Sequence, residues 1–400
     1  MDAGSGGTLT VGPANADVIG SDGMAIQGAI LLAAHLGIRR VLIRKGTYRC
    51  HNTLILHAGL TLEGEGEETV LQKPPYVESA ILQDVSHYEQ GLVVQDPELF
   101  PVGCAIRLHG VEPGTQAPTS SLATVMARDG NRLSVAGKRV GGNFWLSQGP
   151  AKVSTIVPLV RGDQADGVVI RSLQLAGHAE REGLSYRGGH GLYLNRCHHA
   201  VIENVYSHHH DGDGIGFETS YHVRVEGCRM EANAMACHAG SGALHFLVRD
   251  NRLTDNHLGF YFCWGVQHSL LEGNEIIGGD SYGVSVGFHD SYNTIRGNRI
   301  VGNRGVGISL RRSRHPDQSP RDVLIERNVV EDNGSAEKPL AVRIEDAATG
   351  IRLVGNTFRE TRSPGKGAAV VIESTVGTVS LEGNRVEGFE AEVEDRREPR

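Results

Sequence analysis

One short phrase occurs six times between residues 248 and 386: Val248-Arg-Asp-Asn251-Arg-Leu, Leu271-Glu-Gly-Asn274-Glu-Ile, Ile295-Arg-Gly-Asn298-Arg-Ile, Ile325-Glu-Arg-Asn328-Val-Val, Leu353-Val-Gly-Asn356-Thr-Phe and Leu381-Glu-Gly-Asn384-Arg-Val. Its asparagines step by 23 (274−251), 24 (298−274), 30 (328−298), 28 (356−328) and 28 (384−356) residues. A unit of that length carries four or five apolar residues at no helical spacing, so it cannot close a core and must stack on its neighbours. The period is too long for a hexapeptide helix and lacks leucine-rich or propeller signatures. It predicts an all-β chain wound as a single right-handed parallel β-helix, a solenoid whose coils are short strands joined by turns. Asparagine suits the corner on two counts: it tolerates the left-handed conformation, and stacked amides can bond along the axis.

Composition agrees with one elongated body. Glycine is abundant at 53 of 400 residues, as several turns per coil require, and aromatics are only 5%, as a Val/Ile/Leu interior implies. A formal charge of −8 and six lysines argue against a nucleic-acid partner. No run approaches the ~20 apolar residues of a membrane span. Met1-Asp-Ala-Gly-Ser-Gly-Gly lacks a basic and apolar leader, which places the chain in the cytoplasm as written, or in the periplasm or outside the cell if a leader was removed. The six cysteines (Cys50, Cys104, Cys197, Cys228, Cys237 and Cys263) have no metal spacing and read as small core or corner residues. Cys228 falls at the corner asparagine's place and Cys237 at an inward place.

Along the chain, residues 1–20 read as an N-terminal extension. Ser21-Asp22 opens a helix that stops at Gly37, placed to cap the open end of the solenoid. Strands at Val41–Tyr48, Thr53–Leu56 and Leu60–Gly66 complete a block over 21–83. Residues 84–160 break the pattern and hold a hairpin at Asp129-Gly130, so they read as a β-rich insertion packed on the helix. Coils resume over 161–388, and the charged tail 389–400 is expected to fray. The helix, the Gly46-Thr-Tyr48 strand and the Leu60-Thr-Leu-Glu-Gly64 strand resemble the opening segment of the pectate-lyase-like superfamily. That resemblance covers the first ~70 residues and the coils after 165, and implies the fold more than the reaction.

Registering the coils on the corner asparagine lines up Leu192–Asn195, Ile215–Glu218, Cys237–Gly240, Phe260–Cys263, Val284–Gly287, Ile308–Arg311, Val342–Glu345 and Val370–Glu373 in one parallel sheet. Alternate residues then face outward in two columns. The first reads Tyr193, Gly216, His238, Tyr261, Ser285, Ser309, Arg343, Val371. The second reads Asn195, Glu218, Gly240, Cys263, Gly287, Arg311, Glu345, Glu373. With coils ~4.8 Å apart and alternate residues ~6.7 Å apart, the middle coils become a lattice of polar and aromatic side chains around glycine hollows. That mixture suits a sugar ring, with one apolar face and a hydroxylated edge.

The expected acid–base groups are Asp211 and Asp213, from the turn His208-His209-His210-Asp211-Gly212-Asp213, together with Glu218. Either aspartate with Glu218 is expected to make the carboxylate pair of glycoside hydrolysis, which needs a separation of ~5–9.5 Å. His238 and His289 are expected to assist them, whereas His222, His245 and His268, spaced by 23, read as a structural ladder. Tyr193, His210, Tyr261, Trp264, Ser285, Asp290 and Arg311 are the expected substrate contacts. Consecutive histidines cannot converge on one ion, so no metal or other cofactor is expected. Gly189-His190-Gly191 matches a motif of polygalacturonase-like hydrolases in letters. It precedes the aspartates instead of following them, the Asp-Asp and Arg-Ile-Lys partners are absent, and it reads as coincidence. The Asp-Pro-His signature of mannuronan epimerases is absent too.

The resulting expectation is a carbohydrate-active enzyme that cleaves or transfers a glycosidic bond of an oligo- or polysaccharide. The alternatives are a polysaccharide lyase or C5-epimerase acting on a uronate through a His or Tyr base and arginine, and a non-catalytic glycan-binding solenoid. A homo-oligomer formed through the β-helix flanks is the expected assembly.

Overall fold

The computed structural model describes residues 7–87, 89–111, 114, 117–136, 142–178, 188–313 and 315–397, so positions 1–6 of the extension and 398–400 of the tail lie outside it. Helix α1 (Gly23–Leu36) begins where Asp22 accepts a hydrogen bond from the Ala25 amide, and stops at left-handed Gly37. Its Ile26, Ala29, Ile30 and Ala33 are buried in the same core as the first strands, so it seals the solenoid's end. The extension contributes as well. Thr8–Gly12 pairs in parallel with Arg40–Ile43 and buries Leu9 and Val11, because its alternating apolar residues match the coil above.

From there the chain winds as parallel coils. One face is an 11-stranded parallel sheet running from Leu54–Ile55 through Val160–Asp163, Leu192–Asn195, Asp213–Glu218, Met235–Gly240 and Leu258–Cys263 to Ala391–Asp395. The pairing Leu192↔Ile215↔Cys237↔Phe260↔Val284↔Ile308↔Val342↔Val370 is the register expected from the asparagine alignment. Leu192, Ile215, Phe217, Cys237, Phe260, Phe262, Val284 and Ile308 are all fully buried and fill one continuous core.

The corner works by one of its two expected mechanisms. Left-handed backbone falls on the residue before each asparagine (Asp250, Gly273, Gly297, Arg327, Gly355 and Gly383), which frees the asparagine side chain to stack. Asn274 Nδ2 donates to Asn298 Oδ1 at 2.9 Å and to Val248 O at 3.0 Å, and Asn298 repeats this toward Asn328 and Leu271. Cys228 heads the ladder, its amide donating to Asn251 Oδ1 at 2.8 Å. A second ladder runs through Asn233 and Asn256, and again through Asn303 and Asn333. The histidine column stacks as a third, His199, His222, His245, His268 and Tyr292 having ring centroids 5.0 to 5.4 Å apart.

Two stretches depart from the simple solenoid. Strands between Glu78 and Ser154 form a six-stranded antiparallel sheet with its own core, including Val85, Phe100, Ile106, Leu108, Phe144 and Val153. It is spliced between Leu54–Ile55 and Val160–Asp163, which pair directly. The described part of the tail, residues 389–397, continues the solenoid instead of fraying. Ala391–Asp395 adds in register to Ala368–Ile372, and Arg396 Nη1 donates to Glu373 at 2.9 Å. All six cysteines are free thiols, and only Cys263 is not buried. No helix among the described residues is long and apolar enough to cross a membrane.

Candidate active site

On the outer face of the parallel sheet, the glycine hollows at Gly216, Gly240 and Gly287 are filled by the protein itself. A Cβ on Gly216 would collide with Asp213 Oδ2. One on Gly240 would lie 2.9 Å from His238 Nε2 and 3.0 Å from Glu218 Cγ, and one on Gly287 would lie 2.6 Å from Arg311 Cζ. Each glycine is a seat that lets a longer polar side chain lie flat along the sheet.

Asp213 is fully buried, yet its Oδ2 lies 3.0 Å from His190 Nδ1 and 3.2 Å from His238 Nδ1. Burial alone would raise its pKa, but the two imidazoles override that and hold the carboxyl well below the usual range. The converse holds for His238. Burial would push it down, and the Asp213 carboxylate, with a smaller contribution from Cys263, holds it above an ordinary imidazole. The ring therefore carries its proton, anchored at Nδ1, with Nε2 over Gly240 between Glu218 and Cys263. Because Asp213 has no surface to offer a ligand, it positions His238 and is not itself an acid or base.

Glu218 is partly exposed, accepts from Ser241 Oγ at 3.0 Å, and is hydrogen-bonded to Tyr193. Tyr193 in turn stacks on His190 with centroids 4.8 Å apart. Burial and then Glu218 push the Tyr193 phenol well above its usual value. On the other side His238 meets Tyr261, centroids 5.3 Å apart, and the Arg311 guanidinium lies 4.3 Å over the Tyr261 ring. Burial raises Tyr261 to about 12 although Arg311 pulls it down, so both tyrosines keep their protons. Trp264, half exposed, packs on Phe288 at 5.2 Å and extends the apolar floor. Glu218, Tyr261 and Arg311 are thus partly exposed on one face, with the buried His238 ring set between them.

Other expected site residues lie elsewhere. Ser285 is fully covered, because Arg311 Nη1 reaches back to its hydroxyl at 2.8 Å, so it holds the arginine and not a ligand. Asp290 is fully buried with Oδ1 accepting from Val266 N and Oδ2 from Gly287 N; it closes the turn. Burial pushes that carboxyl up to about 7 against these amides. His289 occupies an exposed left-handed corner four positions past Ser285, its amide bonded to Gln318 O, and does not join the His238 group. His210 is buried, Nε2 against Leu175 O at 3.1 Å. With Asp211 it lines a small cavity that Lys73 also lines. Burial pushes the Lys73 ammonium down to about 7, partly countered by Asp211. Asp211 therefore belongs to Lys73 and not to Glu218, since the coil turns between Asp211 and the strand Asp213–Glu218.

Sequence reasoning set aside His190 as part of a coincidental motif, gave Cys263 a place in the outward column but no role, and passed over Lys73. His190 and Cys263 were legible in position: one lies a coil below Asp213, the other stands in the column that holds Glu218. Lys73 left no such trace, being far from the cavity in sequence. Among the described residues no group of three or more His, Cys, Asp or Glu side chains is arranged to hold a metal ion.

Solved structures of the same shape are distant in sequence. The A-module of the Azotobacter vinelandii mannuronan C-5 epimerase AlgE6 aligns with a TM-score of 0.54 at 14% identity, over 96% of this chain and 97% of that one. The Dettilon tailspike protein gp208 aligns at 0.57 and 12%, over 94% and 68%. PfbA, a surface adhesin of Streptococcus pneumoniae, aligns at 0.57 and 12%, over 93% and 89%. At such identities they share the fold alone. No curated protein is a significant match to the sequence. Residues 190–390, half of the chain, match the family model described as the right handed beta helix region. These are the coils that carry the asparagine ladder and the His238 surface, and the protein belongs to that family.

Proposed function

We propose that the protein is a carbohydrate-active enzyme that cleaves or transfers a glycosidic bond of a glycan laid across coils 190–311. The observation that supports this reading is the buried Asp213–His238 pair set beside the partly exposed Glu218. Glycosidic cleavage needs a proton donor toward the leaving oxygen and a carboxylate toward the anomeric carbon. The His238 imidazolium, held charged by Asp213, is the donor. Glu218, supported by Ser241 and Tyr193, is the base or nucleophile. Tyr261 and Trp264 offer ring faces for the sugar.

A second reading, elimination or epimerisation on a uronate, is favoured by Arg311 over Tyr261, which places a cation for a sugar carboxylate beside a protonated tyrosine. One of the structures of like shape is a mannuronan C-5 epimerase and another an adhesin, so the architecture suits both this reading and simple binding.

Incubation with a panel of neutral and uronic glycans separates the three. New reducing ends without unsaturated-uronate absorbance are the expected result, with Glu218→Gln slower by about 10³-fold. Absorbance would move the assignment to the lyase reading. Binding that survives Glu218→Gln, with neither product on a broad panel, would leave a glycan-binding solenoid.

A further inference from the structure

Of the six cysteines, Cys263 alone reaches the surface, and it does so inside the His238 cluster. It pairs in register with Gly240, the seat over which His238 Nε2 lies, so its Cβ stands one coil spacing, ~4.8 Å, from that seat. The thiol thereby stands one coil from the seat of the imidazole edge that Asp213 does not occupy, on the same side of the sheet. We propose that Cys263, His238 and Asp213 form a nucleophile–base–orienter triad, giving this face a second reactivity: acyl transfer from an ester, such as an acyl substituent on a sugar hydroxyl, to the thiol.

The roles follow from the connections. Asp213 fixes the ring at Nδ1 and leaves Nε2 toward sulfur. Arg311 adds positive charge, because its Nη2 bonds at 3.0 Å to the carbonyl of Phe262, the residue before Cys263. In the reaction the thiol proton already rests on His238 Nε2, as a thiolate–imidazolium pair, and Cys263 Sγ bonds to the ester carbonyl carbon. The carbon–oxygen bond breaks, and His238 returns that proton to the departing alkoxide as an alcohol. Water, deprotonated by His238, then opens the thioester to a carboxylic acid and the free thiol. No oxidant or further reactant is required. The triad shares His238 with the glycan reading but does not rest on it.

The test uses the full chain and no sugar, so its outcome is separate from that of the glycan panel. The protein is mixed with p-nitrophenyl acetate, quenched in acid, and mapped by peptide mass. In parallel, iodoacetamide labelling of Cys263 is timed in wild type, His238→Gln and Asp213→Asn. The expected result is one acetyl group on the Cys263 peptide and none on the five buried cysteines. Labelling should be slower by about tenfold in both variants. If a variant fails to fold, the wild-type pH profile decides. A Cys263 flanked by His238, Tyr261 and Arg311, with Asp213 and Glu218 behind, should label well below the ordinary thiol value of about 8.5. Acetylation elsewhere or nowhere overturns the triad, as do equal labelling rates in folded variants or an ordinary thiol profile.

Discussion

At the scale of single residues, the feature that organises the face is one buried carboxylate between two imidazoles. Its energetics have a sign that can be worked out. Asp213 is held below its ordinary pKa, so it stabilises the fold above the unfolded carboxylate range and loses that as pH falls through the folded value. His238 is held above its ordinary pKa, so its contribution is complete below about 6.5, the unfolded imidazole value, and declines as pH rises toward the folded value. The pair is therefore worth most between roughly 4 and 6.5. Asp213→Asn should cost about 3 kcal/mol there by urea denaturation, and measurably less above about 9. A cost that is flat across that interval, or grows with pH, would show that the pair is not ionised. A separate residue-scale expectation concerns the ladder. Asn298→Ala strands the buried Asn274 backbone N–H, whose acceptor is Asn298 Oδ1, and removes the Asn298 side-chain donations to Leu271 O and Asn328 Oδ1, while the Asn274 side-chain amide keeps Val248 O and Glu272 O. A loss of about 3 kcal/mol is expected, against under 1 for Asn384→Ala at the half-buried end of the column.

At the scale of the strand, much of the site was readable and the remainder was hidden for a definite reason. The register of eight coils followed from period-2 burial anchored on the asparagine, since a slip by one residue would turn Ile215 and Phe217 outward. The place of the Asp213 side chain did not follow. It lies forward over Gly216, a path available because no Cβ blocks it, and alternation along a strand says nothing about a side chain that runs parallel to the strand. The same blindness hid Arg311 folding back on Ser285. The strand character of the tail was present as Ala391-Glu-Val393-Glu-Asp395, a period-2 pattern masked by its charge. Glycine seats give this scale its own test. Gly240→Ala inserts a methyl 2.9 Å from His238 Nε2, in a strand that otherwise accepts alanine readily. Circular dichroism should be unchanged and the melting temperature lower by only a few degrees, while glycan cleavage falls by about 10²-fold or more. Full activity in a folded Gly240→Ala protein would mean that the imidazole does not act from that seat.

At the scale of the whole molecule, a solenoid has two ends, and each must be closed against edge-to-edge pairing. Helix α1 closes one by burying Ile26 and Ile30 on the first coils. The other is closed by Ala391–Asp395, whose outward residues are acidic and whose following arginines tie back to Glu373, Glu394 and Asp395. A charged last strand is a poor template for a further chain, whereas the strand beneath it, Ala368–Ile372, is buried along its whole length. Ending the chain after Gly388 should therefore uncover an apolar parallel edge without disturbing coils that contact only their neighbours. The expected outcome is growth of oligomers with protein concentration, read by size-exclusion chromatography with light scattering. Amide hydrogen exchange in coils 190–311 should match that of the intact protein. A truncated chain that keeps the intact protein's scattering profile would show that the edge is guarded from within the coil. Global loss of exchange protection would instead show that the solenoid folds as one cooperative unit and that the last strand is needed by all the others.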